Sequence, residues 1–479
     1  MIRLPVGRAR EASGYNGCLD RLLDLSRKSS KDLLATLEPV APTRTNQPLL
    51  ARLRVMTRAV RHRNFRLFLA GQGLSLIGTW VQSVAQSWLV YRLSESPVML
   101  GLVAFAGQVP YLFLAPIAGV VADRVNRRKL IFLMQVLEMA QAALLATLTL
   151  TGTVQVWHVF YLALALGLAG VFEMTARQTF LVEMVGKEDL MNAIALNSSI
   201  YNSGRILGPA VAGVLVAAIG EGWCFAVNAA SFLAVIVCLL LMRLPASSPR
   251  EEEVSPLEHF REGWNYVRGH PPSRALLLLL GLTSVLNYPF LVLMPVFADT
   301  VLHGGPQALG LLMSATGVGA ILGSLYMAMR TGLRGLSRTI TAATVTYSVA
   351  LALFALSRNL HLSMLLLLPV GFGMMVAVAA TNTALQTIVP DALRGRMLGF
   401  YGMMFVGMTP IGSLLGGWFG GLIGAPRTVI GGAVICIAGA LVFNRKRPVV
   451  RAALRQVMEQ QAQGFPLPVP VTRSTENGR

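Results

Sequence analysis

Glu138 and Arg205 are the charged residues that fall deepest inside the long apolar stretches of this 479-residue chain. An ionised side chain in a bilayer core is costly unless it meets a partner or water, so each needs a reason to be there. Glu138 stands nine residues beyond Lys129, about 13 Å along a helix rising 1.5 Å per residue. Two chemistries fit. Either Glu138 takes up and releases a proton while Arg205 modulates it or meets an anionic ligand, or the two form a structural ion pair. Neutral polar residues also recur in register. Gln72, Ser75, Thr79, Gln82 and Gln86 follow at alternating steps of three and four, which places them on one face of a helix that is otherwise apolar. Such a stripe either faces a wet cavity or bonds neighbouring helices. Asn197, Tyr201 and Arg205 form a similar face. Met397, Tyr401, Met404 and Met408 form a soft one suited to varied apolar ligands or to packing, and Asn287 and Tyr288 precede Pro289 in an equivalent position.

The elements that must hold these residues are membrane spans. The chain is 54% hydrophobic and 13% charged, far from the balance of soluble domains. Windows of about 20 residues, enough to cross a hydrocarbon layer of about 30 Å, predict twelve helices: 65–91, 98–121, 130–150, 154–176, 190–219, 223–244, 275–300, 307–329, 339–357, 361–388, 397–423 and 428–443. The net charge of +19 would suggest nucleic acid in a soluble protein. Here it is sorted by side. Connections after even-numbered spans are rich in Arg and Lys, whereas those after odd-numbered spans hold only Arg92, Arg358 and Arg427. By the positive-inside rule the even connections and both termini are cytoplasmic, and no nucleic-acid partner is implied.

The expected organisation is a cytoplasmic tail over 1–63, a six-helix bundle over 64–244, a cytoplasmic linker over 245–274, a second six-helix bundle over 275–443 and a cytoplasmic tail over 444–479. The first tail contains an amphipathic stretch, Cys18–Leu37, readable as a mobile segment or a surface helix, and Met56 is an alternative start. In the linker, Leu257, Phe260, Trp264 and Val267 recur as on an interfacial helix. The bundles look like diverged copies: Leu100-Gly101 in the second span is answered by Leu309-Gly310 in the eighth. Four scattered cysteines and six scattered histidines offer no disulfide framework, metal site or nucleophile-base spacing, and no GxxxxGK[ST] loop is present. No cofactor and no enzymatic activity are expected.

Between the second and third spans lies Gly119-Val-Val-Ala-Asp123-Arg124-Val-Asn126-Arg127-Arg128-Lys129. It resembles the signature loop of the major facilitator superfamily, in which a glycine is followed by Asp-Arg and then by a Gly-Arg-Arg or Gly-Arg-Lys cluster. Asn126 replaces the usual glycine, and Asn is one of the few other residues that enter left-handed conformations readily. Asp123 is expected to cap a neighbouring helix and Arg127 or Arg128 to pair with a carboxylate, Glu173 being the obvious one, so that the loop latches the cytoplasmic side. Gly204, Gly208, Pro209 and Gly213 resemble the glycine-proline motif that is characteristic of exporters in that superfamily, and also read as small-residue packing. Asn64-Phe-Arg-Leu-Phe, Ala176-Arg-Gln-Thr-Phe-Leu-Val-Glu183 and Glu188-Asp-Leu-Met-Asn192 resemble the branch containing enterobactin exporters and macrolide efflux proteins.

That resemblance implies an all-α membrane protein of twelve helices in two pseudo-symmetric bundles. It further implies proton-driven efflux of small drug-like or siderophore-like molecules by alternating access, in a bacterial cytoplasmic membrane. The implied partners are a small-molecule substrate, the proton gradient and the lipid bilayer; a monomer is expected. The fourth span lacks the embedded arginine that many drug-proton antiporters carry, so their coupling scheme does not transfer. A lysophospholipid or lipid flippase of the same fold is the nearest alternative, and a non-transporting membrane receptor or assembly partner is the alternative of another class.

Overall fold

A computed structural model describes residues 58–186, 188–243, 256–330 and 332–462. The first tail up to residue 57, linker residues 244–255 and the chain after 462 lie outside the described residues, as do the side chains of Asp123, Tyr201 and Arg205. The readings of Cys18–Leu37 and Met56, and the roles given to those three side chains, are therefore not placed.

Among the described residues every regular element is helical. The first set comprises α1 (Arg63–Ser94), α2 (Pro97–Arg124), α3 (Arg127–Leu150), α4 (Val156–Val185) and α5 (Leu190–Leu241). The amphipathic α6 (Pro256–Gly269) leads into α7 (Pro271–Leu286), α8 (Phe290–Val296), α9 (Gly305–Met329), α10 (Leu336–Leu356), α11 (Leu360–Ile388), α12 (Asp391–Gly402), α13 (Thr409–Ile423) and α14 (Ala425–Ala462). Proline opens α2, α7, α9 and α13, where the missing N–H is one the helix leaves unpaired anyway. Asn126 is the N-cap of α3. Its backbone is extended, at φ −64° and ψ 111°, and its Oδ1 accepts from the Lys129 N–H, so it serves as a cap and not through a left-handed conformation.

Among the described residues, ten segments are long and apolar enough to cross a membrane, against twelve expected. The crossing expected over 65–91 is helical as α1, but its polar stripe keeps it out of the ten. Those expected over 190–219 and 223–244 form one 52-residue helix, α5, broken where Gly220 takes φ 80° and ψ 167°, a conformation that suits glycine. Two spans contain π-helical turns, Phe297–Val301 after α8 and Met403–Gly407 between α12 and α13. A π turn skips one rung of the i to i+4 ladder and is often found at functional positions. At the other end α14 runs past residue 443 to Ala462, because Val450, Leu454 and Val457 bury one more apolar face.

Helices α1 to α5 pack chiefly on one another, α1 on α5 and α2 on α4 most extensively, while α9, α10, α11 and α14 form the body of the second set. Two seams join the sets: α2 with α13, and α5 with α9. Each seam is a glycine placed against a glycine. A Cβ on Gly101 would lie 2.8 Å from the Gly417 Cα and 2.6 Å from the Ser413 carbonyl oxygen, and a Cβ on Gly213 would lie 2.7 Å from the Gly310 Cα. Backbones this close gain dispersion contacts that any side chain would abolish. Gly310→Ala and Gly101→Ala are therefore expected to lower the thermal midpoint of the purified protein, by the equivalent of about 1–3 kcal/mol for overpacking. Gly431→Ala in α14, where an added Cβ meets nothing within 4 Å, leaves the midpoint unchanged or slightly higher; equal losses at all three positions would contradict the seams.

Candidate functional site

Helix α4 carries the charges that matter most. Glu173 and Arg177 stand one turn apart with 3.5 Å between Oε1 and Nε, and Arg177 Nη1 donates to Gln72 Oε1 of α1 at 3.1 Å. Across from them on α3, Glu138 accepts from the Gln135 side chain at 3.1 Å, and its electrostatic neighbours are Glu173 and Arg177. Glu138 and Glu173 are both buried. Two carboxylates thus share one described guanidinium, and this group of three is neutral when it holds one proton. The span expected over 154–176 stops just short of Arg177, and Arg205 is the cation expected either to modulate Glu138, to meet an anionic ligand or to form an ion pair with Glu138. The longer α4 brings Arg177 into the bundle, and the Arg205 side chain is outside the described set.

A cavity of about 660 Å³ lies beside this cluster. Its walls come from both sets: Tyr111 and Leu112 of α2, Met174 and Gln178 of α4, and Arg396 to Val406 across α12 and its π turn. Apolar side chains dominate, with Tyr111, Thr175, Gln178 and Arg396 as polar points. Cavity and carboxylates meet over one small residue. Gly170 of α4 has the Tyr111 hydroxyl against it, and a Cβ there would lie 3.9 Å from Glu138 Oε1. The sequence marks Gln178 only as part of a family motif and none of these residues as a cavity wall, since contact across three helices leaves no mark in a single helix's periodicity. The i, i+3, i+7 spacing of Val171, Met174 and Gln178 is the signal the sequence offers.

The polar stripe on α1 divides. Gln82 is buried, donates to Gln141 at 3.0 Å and accepts from Asn228 at 2.7 Å; Gln72 is held by Arg177, and Ser75 is buried. These side chains tie helices together. Only Thr79 is exposed and Gln86 half-buried, so the stripe as a whole does not line the cavity. Asn197 is half-buried. Asn287 is fully buried and donates to Ser348 at 2.8 Å, joining α7 to α10. Tyr288 packs edge-on against Phe405 with ring centroids 6.3 Å apart, Tyr401 donates to the Val378 carbonyl at 3.2 Å, and Met404 lies against Gly281. Tyr288 also borders a void of about 20 Å³ among Thr283, Ser284, Thr344, Tyr347 and Thr381, room for one water.

The loop after α2 is placed differently from expectation. Arg127 Nη1 stands 2.5 Å from Glu183 Oε1 at the end of α4, whereas Glu173, ten residues earlier, pairs with Arg177. Ten residues of helix are about 15 Å, too deep for a loop arginine to reach. Arg128 donates to the Leu240 carbonyl at 3.1 Å, Arg124 is exposed, and Gly119 has open space where a Cβ would be. Gly204 and Gly208 pack α5 against Leu76 and Trp80 of α1, Pro209 is buried, and Gly213 forms the α9 seam. No group of three metal-ligating side chains occurs among the described residues.

Comparison with known proteins agrees with this architecture. The family model described as transmembrane secretion effector matches residues 57–473. The chain belongs to that family. It is accordingly a multi-pass membrane transporter of the major facilitator type and not an enzyme. The multidrug efflux pump Tap of Mycolicibacterium fortuitum is 30% identical over 71% of this chain and 85% of its own length. The staphyloferrin A transporter of Staphylococcus aureus is 26% identical over 80% and 96%, and the enterobactin exporter EntS of Escherichia coli is 28% identical over 84% and 95%. Among solved structures, the peptide transporter POT in complex with alafosfalin superposes with a TM-score of 0.66 at 13% identity, over 82% of this chain and 95% of that one. The nucleoside transporter NupG superposes with a TM-score of 0.60 at 15% identity, over 82% and 98%.

The charge count in the first set of helices is open to a stability test. Arg177→Gln leaves two buried carboxylates without a described cation and is expected to cost about 3 kcal/mol, the range for removing one partner of a buried pair. Adding Glu173→Gln restores most of that loss in a double-mutant cycle read by thermal melting. Additive losses would show that the two side chains do not interact.

Proposed function

We propose that this protein is a proton-coupled exporter of amphipathic, mainly apolar organic molecules, working by alternating access between two six-helix halves. The observation that carries this reading is the cavity of about 660 Å³ walled by α2, α4 and α12, whose lining is apolar apart from Tyr111, Thr175, Gln178 and Arg396. A volume in this range suits a drug-sized ligand whose few polar groups are met at fixed points. The seams Gly101 with Gly417 and Gly213 with Gly310 lie toward the ends where α2 and α9 begin, and the cavity lies toward the ends where α12 begins and α4 finishes. Those latter ends carry the basic connections, so by the positive-inside rule the arrangement is open to the cytoplasm of a bacterial cell. Substrate enters there, and rocking about the seams exposes it on the far side.

Protons drive the cycle through Glu138, Glu173 and Arg177. With one proton the three groups are neutral, and losing it leaves a net negative charge in the bundle that favours contact with the outer water. Tyr111 links the two events, because its ring borders the cavity while its hydroxyl meets Gly170 beside Glu138. The exporter reading also draws support from relatives named as an efflux pump and an exporter.

Purified protein in liposomes with an imposed pH gradient, given a panel of lipophilic cationic dyes, a siderophore-like chelator and a lysophospholipid, tests the reading. Gradient-dependent movement of the first or second class is expected, abolished by a protonophore. Glu138→Gln should lose gradient-driven transport while retaining exchange of labelled for unlabelled substrate, and Phe400→Ala should weaken binding about tenfold, as loss of one large buried contact does. Movement of lysophospholipid alone would establish the flippase alternative, and no gradient-dependent movement of any compound would overturn the proposal.

A further inference from the structure

A second cavity, of about 420 Å³, opens on the surface where α1 begins and α5 ends. It is lined by His62, Arg63, Asn64, Met184 and Arg243. Asn64 ties the two chain segments together: its Nδ2 donates to the Arg243 carbonyl at 2.8 Å, and its Oδ1 accepts from the Arg243 N–H at 3.1 Å. That clamp brings Arg63 and Arg243 together in the lining of one opening. His62 is turned toward Asp189 at 2.8 Å, and Arg128 bonds the Leu240 carbonyl, so both neighbours are engaged. The guanidiniums of Arg63 and Arg243 have no hydrogen-bond or ion-pair partner among the described residues, and both side chains are exposed. No acidic residue lines the cavity.

We infer that this cleft binds the phosphate of an anionic lipid headgroup. Two guanidinium forks across a cavity of this size match the paired oxygens of a phosphodiester. The choice of a lipid over a free anion rests on what adjoins the cleft. Val237, Leu240 and Leu241, within the last two turns of α5 before Arg243, are exposed apolar side chains, and Met184 forms one wall of the cavity. A headgroup held by the arginines lays its acyl chains along that face of α5, so charge and apolar surface are both used. The site lies apart from the 660 Å³ cavity and shares no lining residue with it. It also joins the two ends of the first helix set, which gives bound lipid a means of stiffening that set as a unit.

The test uses the full-length protein and phosphatidylglycerol. Retention of phosphatidylglycerol is counted by native mass spectrometry after exchange into detergent, and the shift in thermal midpoint on adding phosphatidylglycerol to protein in phosphatidylcholine nanodiscs is measured alongside. Arg63→Gln with Arg243→Gln should weaken retention by about tenfold or more, as expected for two arginines at a membrane surface, and should remove the thermal shift. Arg445→Gln with Lys446→Gln, which deletes the same charge from α14, should leave both unchanged. Because neither Arg63 nor Arg243 has a described partner, the variant is expected to fold, and its midpoint in pure phosphatidylcholine checks this. Equal losses in the two double variants, no loss in the first, or equal protection of the wild type by inorganic phosphate would each overturn the inference.

Discussion

The close approach of backbones at two glycine pairs is the constraint on which the rest depends. Gly101 meets Gly417 and Gly213 meets Gly310, and in each pair a single added carbon would collide with backbone atoms of the other helix. A collision with backbone cannot be relieved by a rotamer change, so the seams are either closed as observed or substantially parted. On the proposed alternating-access reading, that makes them two-state elements. The seams lie at one end of the helices, and the 660 Å³ cavity between α2, α4 and α12 lies toward the other.

A second constraint governs the first set of helices. Polar atoms within a bilayer must find partners inside the protein. Gln82, Gln141, Asn228 and Ser231 answer it with a continuous chain of hydrogen bonds, with Asn228 also accepting from Ser231 at 3.0 Å. Neutral partners of this kind fix α1, α3 and α5 without adding charge. One layer nearer the basic connections, Gln72, Glu138, Glu173 and Arg177 form a charged layer that the neutral one braces from beneath. On the proposed reading the rigid layer keeps the charged one in place when its proton count changes, because a soft surround would let water compensate the charge instead.

Much of this was legible in sequence, and what was not failed for identifiable reasons. Most span positions, the repeat seen in Leu100-Gly101 and Leu309-Gly310, the amphipathic linker helix and the burial of Glu138 all follow from hydropathy and spacing, which are local properties. The repeat turned out to mark the glycines of the two seams. Partner identity is not local. Glu173, near the end of the expected fourth span, is the partner the sequence suggests for Arg127 or Arg128, whereas the rise along α4 keeps it from the loop and brings Glu183 to Arg127. The stripe on α1 was periodic as expected, yet periodicity shows that a face is polar without showing what it faces; here much of it faces Gln141, Asn228 and Arg177. Tyr111 escaped notice because one tyrosine in a long apolar helix carries no pattern, and its position depends on Gly170 in a different helix.

The wall of the main cavity that belongs to α12 is held unlike the others. Its helix ends in the π turn Met403–Gly407, so the hydrogen-bond ladder is interrupted where the wall meets α13. Its first turns are gripped by α6: Arg396 pairs with Glu262, Phe400 lies 6.3 Å from Trp264 centroid to centroid, and Gly263 leaves room for the Phe400 ring. Arg396 and Phe400 line the cavity as well. A cavity wall hinged at one end and anchored at the other to the segment that joins the two helix sets cannot move independently of them. On the proposed alternating-access reading, the segment carrying α6 follows when the sets rock about the glycine seams, and it draws Arg396 and Phe400 with it. On that reading, shape change at the cavity is coupled to the relative position of the sets through the pairs Arg396–Glu262 and Phe400–Trp264, and the π turn takes up the bend that a continuous helix would resist.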